Sequence, residues 1–319
     1  MVKSMGTVAI TGASGYIGKH LVAKLEQLGG VRIKVLSRRR GLEPGASEFG
    51  SGVEVVEGDL HRPDSLQSFL EPGCTVVHLA YLQGKSEAEN LAATANLLDA
   101  CKFSGIQRII HVSTAAVVGR VPDDIITEKT VCHPVSEYGI TKLKIEKAIL
   151  GAGASGFDVG ILRPTAVFGP KGGSLNKLIG SLTAGKNLRN YLKSCLFNKR
   201  RMNLVSVANV VAAIIFMVKR EENFNGEVFI VSEDDNPGNN FADVERLLMD
   251  QMQLKSYQVP TVSIPLGVLT FLLKVLGKND ANPRCNFDSR KLLALGFRRP
   301  VEFEAGLKNY CDWYRSAGR

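Results

Sequence analysis

A β-branched run, TVAIT at residues 7–11, leads straight into Thr11-Gly12-Ala13-Ser14-Gly15-Tyr16-Ile17-Gly18, and an amphipathic pattern follows over residues 19–28. No other feature constrains the fold as strongly. A strand, a glycine turn and a helix in that order open a βαβ unit. Gly12 permits the tight turn, Gly15 lets the backbone approach a pyrophosphate, and Gly18 lets the helix lie close on the strand. The helix N-terminus then presents unpaired N–H groups and the positive end of its dipole to phosphates. The reading is a dinucleotide site built by Gly12, Ser14, Gly15, Tyr16, Ile17 and Gly18.

The rhythm continues through the first half. Strand patterns fall at 31–36, 53–57, 75–79, 108–113 and 158–163, with helical patterns at 63–70, 86–103 and 138–150 between them. Such alternation argues for an α/β fold with a doubly wound parallel sheet of the Rossmann type. After Pro170 the pattern changes to helices and loops punctuated by Pro260, Pro265, Pro283 and Pro300, with one more strand pattern at 228–231. The expected division is a dinucleotide domain at 1–170, with a returning segment near 203–233. A smaller, mostly helical substrate lobe takes 171–202 and 234–319.

Composition excludes several classes. The 319 residues are 45% hydrophobic and 22% charged, which is globular composition. Lys+Arg minus Asp+Glu is 40 − 31 = +9. That surplus suits an anionic ligand, but no motif points to nucleic acid. The six cysteines show no metal-ligand or CxxC spacing, so no metal is expected, and they read as reduced thiols of a cytoplasmic protein. No apolar stretch reaches the ~20 residues of a membrane span. The nearest, at 262–277, is broken by Pro265 and Lys274 and reads as a packed helix, so membrane association is not expected.

Cofactor choice belongs at the end of the second strand, where an acid would bind the ribose 2′-hydroxyl of NAD. This chain has Ser37, Arg38, Arg39 and Arg40 there. Arginine donors suit a 2′-phosphate, which favours NADP while leaving NAD open. Further on, Tyr138 and Lys142 are four apart and share one helix face. A free tyrosine has a pKa near ~10, and lowering it by three units needs about 4 kcal/mol. A close, partly desolvated ammonium supplies an effect of that size. Tyr138 then exchanges a proton at a substrate hydroxyl or carbonyl while hydride moves. Thr114, in Val112–Gly119 (VSTAAVVG), is the candidate for a second hydrogen bond to the same oxygen, and Ser113 reads as structural.

Together these segments resemble the extended short-chain dehydrogenases/reductases, the NAD(P)-dependent epimerase/dehydratase group that acts on nucleotide sugars. TGASGYIG is similar to the family's TGxxGxxG, and Asp59-Leu60 to the pair whose acid bonds the adenine. His78-Leu79-Ala80, with Tyr81 after it, is similar to the strand-four segment lining the cofactor. VSTAAVVG is similar to the Ser/Thr strand and YGITK to YxxxK. Arg163-Pro164-Thr165 opens a segment similar to RPxxVYGP, where the backbone approaches the nicotinamide. DSRK at 288–291 and LGF at 295–297 are similar to the family's closing pattern. The resemblance implies Thr114, Tyr138 and Lys142 as catalytic residues, with Lys142 holding the ribose and lowering the Tyr138 pKa. It also implies a homodimer.

Departures narrow the reaction. Sugar 4,6-dehydratases of this family carry Asp-Glu where this chain has Ala115-Ala116, so 4,6-dehydration is not expected. The segment similar to RxxxHVxD reads Met202 to Asn209, with its arginine displaced, Lys199, Arg200 and Arg201 lying just before it, and Asn209 in place of the acid. Arg201 and Asn176 are candidate contacts for a substrate diphosphate, beside Thr114 and Tyr138 at the sugar. Two variants stay open: net 4-keto reduction with NADPH, and redox-neutral 4-epimerisation with retained NAD. A ketone or hydroxysteroid reductase using NADPH and a non-catalytic NADP-sensing protein are the alternatives.

Overall fold

The computed structural model describes residues 6–38, 49–153, 156–185, 187–262, 264–265, 267–268 and 282–318. Arg39 and most of the apolar stretch 262–277 therefore lie outside the described residues.

The glycine turn links β1 (Thr7–Thr11) to α1 (Tyr16–Leu28), which buries Leu21, Val22 and Leu25. β2 (Arg32–Ser37), β3 (Val53–Glu57) and β4 (Thr75–His78) follow. The expected helix at 63–70 is a single 3₁₀ turn, Pro63–Leu66. Ser65 in that turn is tied back to the preceding loop, its Oγ accepting the Asp59 N–H at 2.9 Å. α2 (Glu87–Ser104) opens on a reciprocal Ser86–Glu89 capping box. β5 (Arg108–Val112), the two-residue β6 (Ile125–Ile126), α3 (Glu137–Gly153) and β7 (Asp158–Pro164) complete the first half.

The later elements are β8 (Ala166–Phe168), α4 (Asn176–Thr183), α5 (Asn187–Phe197), β9 (Leu204–Ser206), α6 (Val207–Lys219), β10 (Glu227–Val231), α7 (Phe241–Gln251) and β11 (Asn286–Phe287). A closing helix spans Phe303–Ser316.

Seven strands form one sheet in the order β10-β7-β5-β4-β1-β2-β3. β1 pairs in parallel with both β2 and β4, so the strand order reverses there. Ligands of doubly wound sheets bind outside the carboxyl ends of strands at such a switch point. The first helix begins at that edge.

The chain divides into two compact units. The first takes Met1–Val117, Ser136–Arg163 and Val211–Phe229. Its core joins Leu66, Phe69 and Leu97 to Ile109, Ile145 and Ile149. Within it the buried Arg108 guanidinium meets Asp158 at 2.6 Å and also donates to the carbonyls of Met217, Arg220 and Glu222, the last turn and exit of α6. The second unit takes Val118–Val135, Pro164–Val210 and Ile230–Arg319. Its core packs Phe168, Ile179, Leu204, Leu248, Phe303 and Leu307. Two short parallel pairs, β6 with β11 and β8 with β9, tie its segments together.

Candidate active site

The glycine turn is shaped by backbone packing. Gly12 has φ +73°, and a Cβ there would fall 2.7 Å from the Ala80 nitrogen. A Cβ on Gly18 would fall 2.3 Å from the Gly12 carbonyl oxygen. Neither position admits a side chain without moving main chain. α1 starts at Gly15 with no side-chain cap and no acid in its first turn. Its N–H groups face an open edge where Ser14 and Gly15 are exposed and Tyr16 and Ile17 half-buried. This donor set fits a pyrophosphate.

The other expected cofactor residues lie along the same edge. Leu79 donates its N–H to the Thr11 carbonyl, and Leu79, Ala80 and Tyr81 are half-buried. Asp59 accepts the His61 N–H through Oδ1 at 2.9 Å, beside the buried Leu60. Ser37 closes β2 and Arg38 is exposed just after it.

Thr114 follows β5 and Tyr138 lies in the first turn of α3, so the sheet and one helix position both. The Tyr138 ring is 41% exposed and stands edge-on to Tyr81, with centroids 4.9 Å apart. Desolvation pushes the Tyr138 phenol above its ordinary range, while the Thr114 hydroxyl pulls it down. Lys142 is not among the groups that move the Tyr138 pKa in the protein alone. The reason is geometric. Lys142 is buried and its ammonium turns inward, donating to the Val112 carbonyl at 2.9 Å and meeting His111 Nε2 at 3.1 Å. Desolvation pulls the Lys142 pKa down to about 7, against the attraction of Glu146 one turn further along α3.

Glu146 in turn holds Arg163, with 3.0 Å from Nε to Oε1 and 2.6 Å from Nη2 to Oε2. The Arg163 side chain, expected among the cofactor residues, is thus engaged with a carboxylate inside the first unit. Tyr138, Lys142 and Glu146 form one i, i+4, i+8 row, and the third member escaped the sequence reading. So did His111. Its signal was a histidine at the same register as His78 on neighbouring buried strands.

Pro164, Thr165, Asn176 and Arg201 belong to the second unit. Thr165 is buried, and its hydroxyl has no partner among the described residues. Asn176 opens α4 and accepts the Tyr310 hydroxyl at 2.9 Å. Arg201 is half-buried and donates to the Asn236 carbonyl at 3.2 Å. Asn209 is fully buried, donating to Glu233 at 2.9 Å and to the Val301 carbonyl at 2.7 Å. An acid at 209 would place a second carboxylate against Glu233; the amide supplies a donor instead. Ala115 and Ala116 sit on a 3₁₀ turn and bring no acid to Thr114. Among the described residues no group of His, Cys, Asp and Glu is arranged to hold a metal ion. Nor is any helix long and apolar enough to cross a membrane.

A family model described as the NAD dependent epimerase/dehydratase family matches residues 8–232. The chain is 27% identical to UDP-glucose 4-epimerase of Vibrio cholerae, across 98% of this chain and 96% of that one. It is 26% identical to the human sterol-4-alpha-carboxylate 3-dehydrogenase, decarboxylating, across 81% and 69%. Among solved structures, UDP-glucuronic acid 4-epimerase from Bacillus cereus, in complex with NAD, superposes with a TM-score of 0.72. That match covers 98% of this chain and 97% of the other at 20% identity, a likeness of fold.

Proposed function

Because this chain belongs to the NAD dependent epimerase/dehydratase family, and so is an NAD-dependent enzyme of the extended short-chain dehydrogenase/reductase type, we propose that it acts on a nucleotide-linked sugar. The reaction is 4-epimerisation, with Tyr138 as the acid/base. The observation that carries this reading is the near end-to-end likeness to a UDP-glucose 4-epimerase.

The residues present fit a dinucleotide: the Gly12 and Gly18 cradle excludes side chains, and the uncapped α1 N-terminus offers its N–H groups to phosphates. Bound there, the nicotinamide supplies the hydride acceptor and donor. Tyr138 takes the proton from the sugar 4-hydroxyl and later returns one. Thr114 donates to the same oxygen and fixes its place. Lys142 gives its remaining N–H to the nicotinamide ribose. Asn176 and Arg201 are the proposed contacts of the substrate diphosphate. Tyr81 stacks edge-on against Tyr138 and restricts its rotation.

A second reading, net reduction of a ketone with NADPH, is supported by Ser37-Arg38 at the end of β2, where no acid stands to bind a 2′-hydroxyl. Its substrate is a 4-keto nucleotide sugar or an apolar ketone, the latter in view of the sterol dehydrogenase among the relatives.

One experiment separates the two. The purified protein is denatured and the released dinucleotide identified, and UDP-glucose turnover is then assayed with and without Tyr138→Phe. Retained NAD and epimerisation that falls by about 10³-fold in the variant support the first reading. An empty protein that binds NADPH well above NADH and turns over no UDP-glucose supports the second. Turnover undiminished in Tyr138→Phe removes the acid/base assignment.

A further inference from the structure

We propose that His111 is a positioning residue for Lys142, holding its ammonium through a hydrogen bond accepted at Nε2. The inference deepens the proposed function, because it rests on Lys142 serving the nicotinamide ribose.

An ammonium has three N–H donors and no lone pair. The Val112 carbonyl takes one donor and His111 Nε2 takes the second at 3.1 Å. One N–H of Lys142 remains without an acceptor among the described residues. Two acceptors on one strand end stop the ammonium from rotating, so that third N–H has a fixed direction. For Nε2 to accept, the ring proton must sit on Nδ1. His111 is fully buried, and the His78 backbone is the other polar partner of its ring. Burying an imidazole costs free energy that an apolar residue between Ile110 and Val112 would not. A packing role leaves that cost without compensation, whereas the bond to a charged donor offsets it.

The surroundings keep His111 an acceptor. Desolvation and the Lys142 charge hold its pKa well below the ordinary histidine range. From β4, His78 faces it with ring centroids 5.1 Å apart and is itself neutral, its pKa pushed down to about 3. His78 is held in turn by Thr11 of β1 at 2.7 Å. Glu146 on α3 and Arg163 on β7 are the charged groups nearby, and each meets the other. Tyr138, one turn before Lys142, is a further titratable group on α3, which also carries Glu137, Lys144 and Lys147. An acceptor on the ammonium favours its charged form, so losing the imidazole is expected to lower the lysine pKa further.

Two measurements test the proposal. Long-range ¹H–¹⁵N correlation spectra of the labelled protein report the His111 tautomer. A neutral ring protonated on Nδ1 is expected, and a proton on Nε2 overturns the proposal. NAD affinity is then titrated by calorimetry from about pH 6 to about pH 9 for the wild type, His111→Leu and His111→Gln, with thermal midpoints beside it. Leucine is expected to weaken binding about tenfold and to shift its alkaline loss to lower pH. Glutamine, whose carbonyl oxygen reaches the same place, is expected to restore affinity to within about threefold. Equal loss in both variants, or none in leucine, reduces His111 to packing. A wild type that fails to bind NAD overturns the cofactor reading, while the tautomer spectrum still decides the histidine.

Discussion

The two units settle their buried charges in opposite ways. In the first, cations meet anions: Arg163 lies on Glu146 and Arg108 on Asp158. In the second, Glu233 and Asp234 are buried among neutral donors. Glu233 accepts the Ser206 N–H and the Asn209 amide. Asp234 accepts from Asn203, Asn239 and the Phe287 N–H. Amides satisfy lone pairs but do not cancel charge. Desolvation therefore wins, lifting Glu233 to about 7 and Asp234 to about 6, although Arg299 and Arg201 respectively oppose it. The bases of the first unit move the other way, with His78 at about 3 and Lys142 at about 7.

The difference predicts opposite responses to pH. A carboxyl whose pKa is raised on folding binds more protons folded than unfolded. Its stabilisation is present below the unfolded value and is lost as pH rises through the folded one. For Glu233 and Asp234 that loss runs from about pH 4 to about pH 7. A histidine whose pKa is depressed stabilises above its ordinary value and loses that stability as pH falls, here from about 6.5 towards 3. Acid thus loosens the first unit while it firms the second.

Three substitutions break or sharpen this contrast. The largest effect belongs to Glu146→Ala, which leaves Arg163 buried opposite no carboxylate. A loss of about 3–5 kcal/mol in urea unfolding is expected. A loss under about 1 kcal/mol would mean that charge pairing is not what holds the first unit. Next, Glu233→Gln removes the titrating group and keeps the shape. Between about pH 4.5 and about pH 7.5 the wild type should lose up to about 3 kcal/mol of stability that the variant retains. Parallel pH profiles would show that Glu233 is charged at no cost. The smallest is Tyr310→Phe, which takes a neutral hydroxyl from Asn176. About 1 kcal/mol is expected at all pH values, and a pH-dependent loss would contradict the neutral character of that contact.

Much of the first unit was legible because its residues repeat at short range. The strands read from short β-branched runs lie within one or two residues of β1–β5 and β7, and the four-residue step from Tyr138 to Lys142 is a helix period. The family resemblance likewise rests on local strings. What escaped depends on partners far apart in sequence. β6 and β11 are two residues each, paired 161 positions apart, and carry no pattern of their own. Arg163 read as a cofactor residue because its string matches. Only the fold shows Glu146, seventeen residues earlier, taking its guanidinium. Asn209 read as a bare departure from an acid until Glu233 came to lie against it. The helix expected at 63–70 is one 3₁₀ turn, with Ser65 tied back to the Asp59 main chain six residues earlier.

Arg108 carries a consequence for how the protein is made. Its three carbonyl partners lie on residues 217, 220 and 222, more than a hundred positions downstream, and β10 adds the last strand of the sheet only at 227–231. Domains emerging from a ribosome fold as units, N-terminal first. Here Arg108 gains its three carbonyl partners, and the sheet its last strand, only once more than about two-thirds of the chain has been made. The nascent chain must hold its first six sheet strands, β1–β5 and β7, waiting. Ribosome-bound fragments ending before residue 217 are the stage at which this protein depends most on whatever keeps unfinished chains from aggregating.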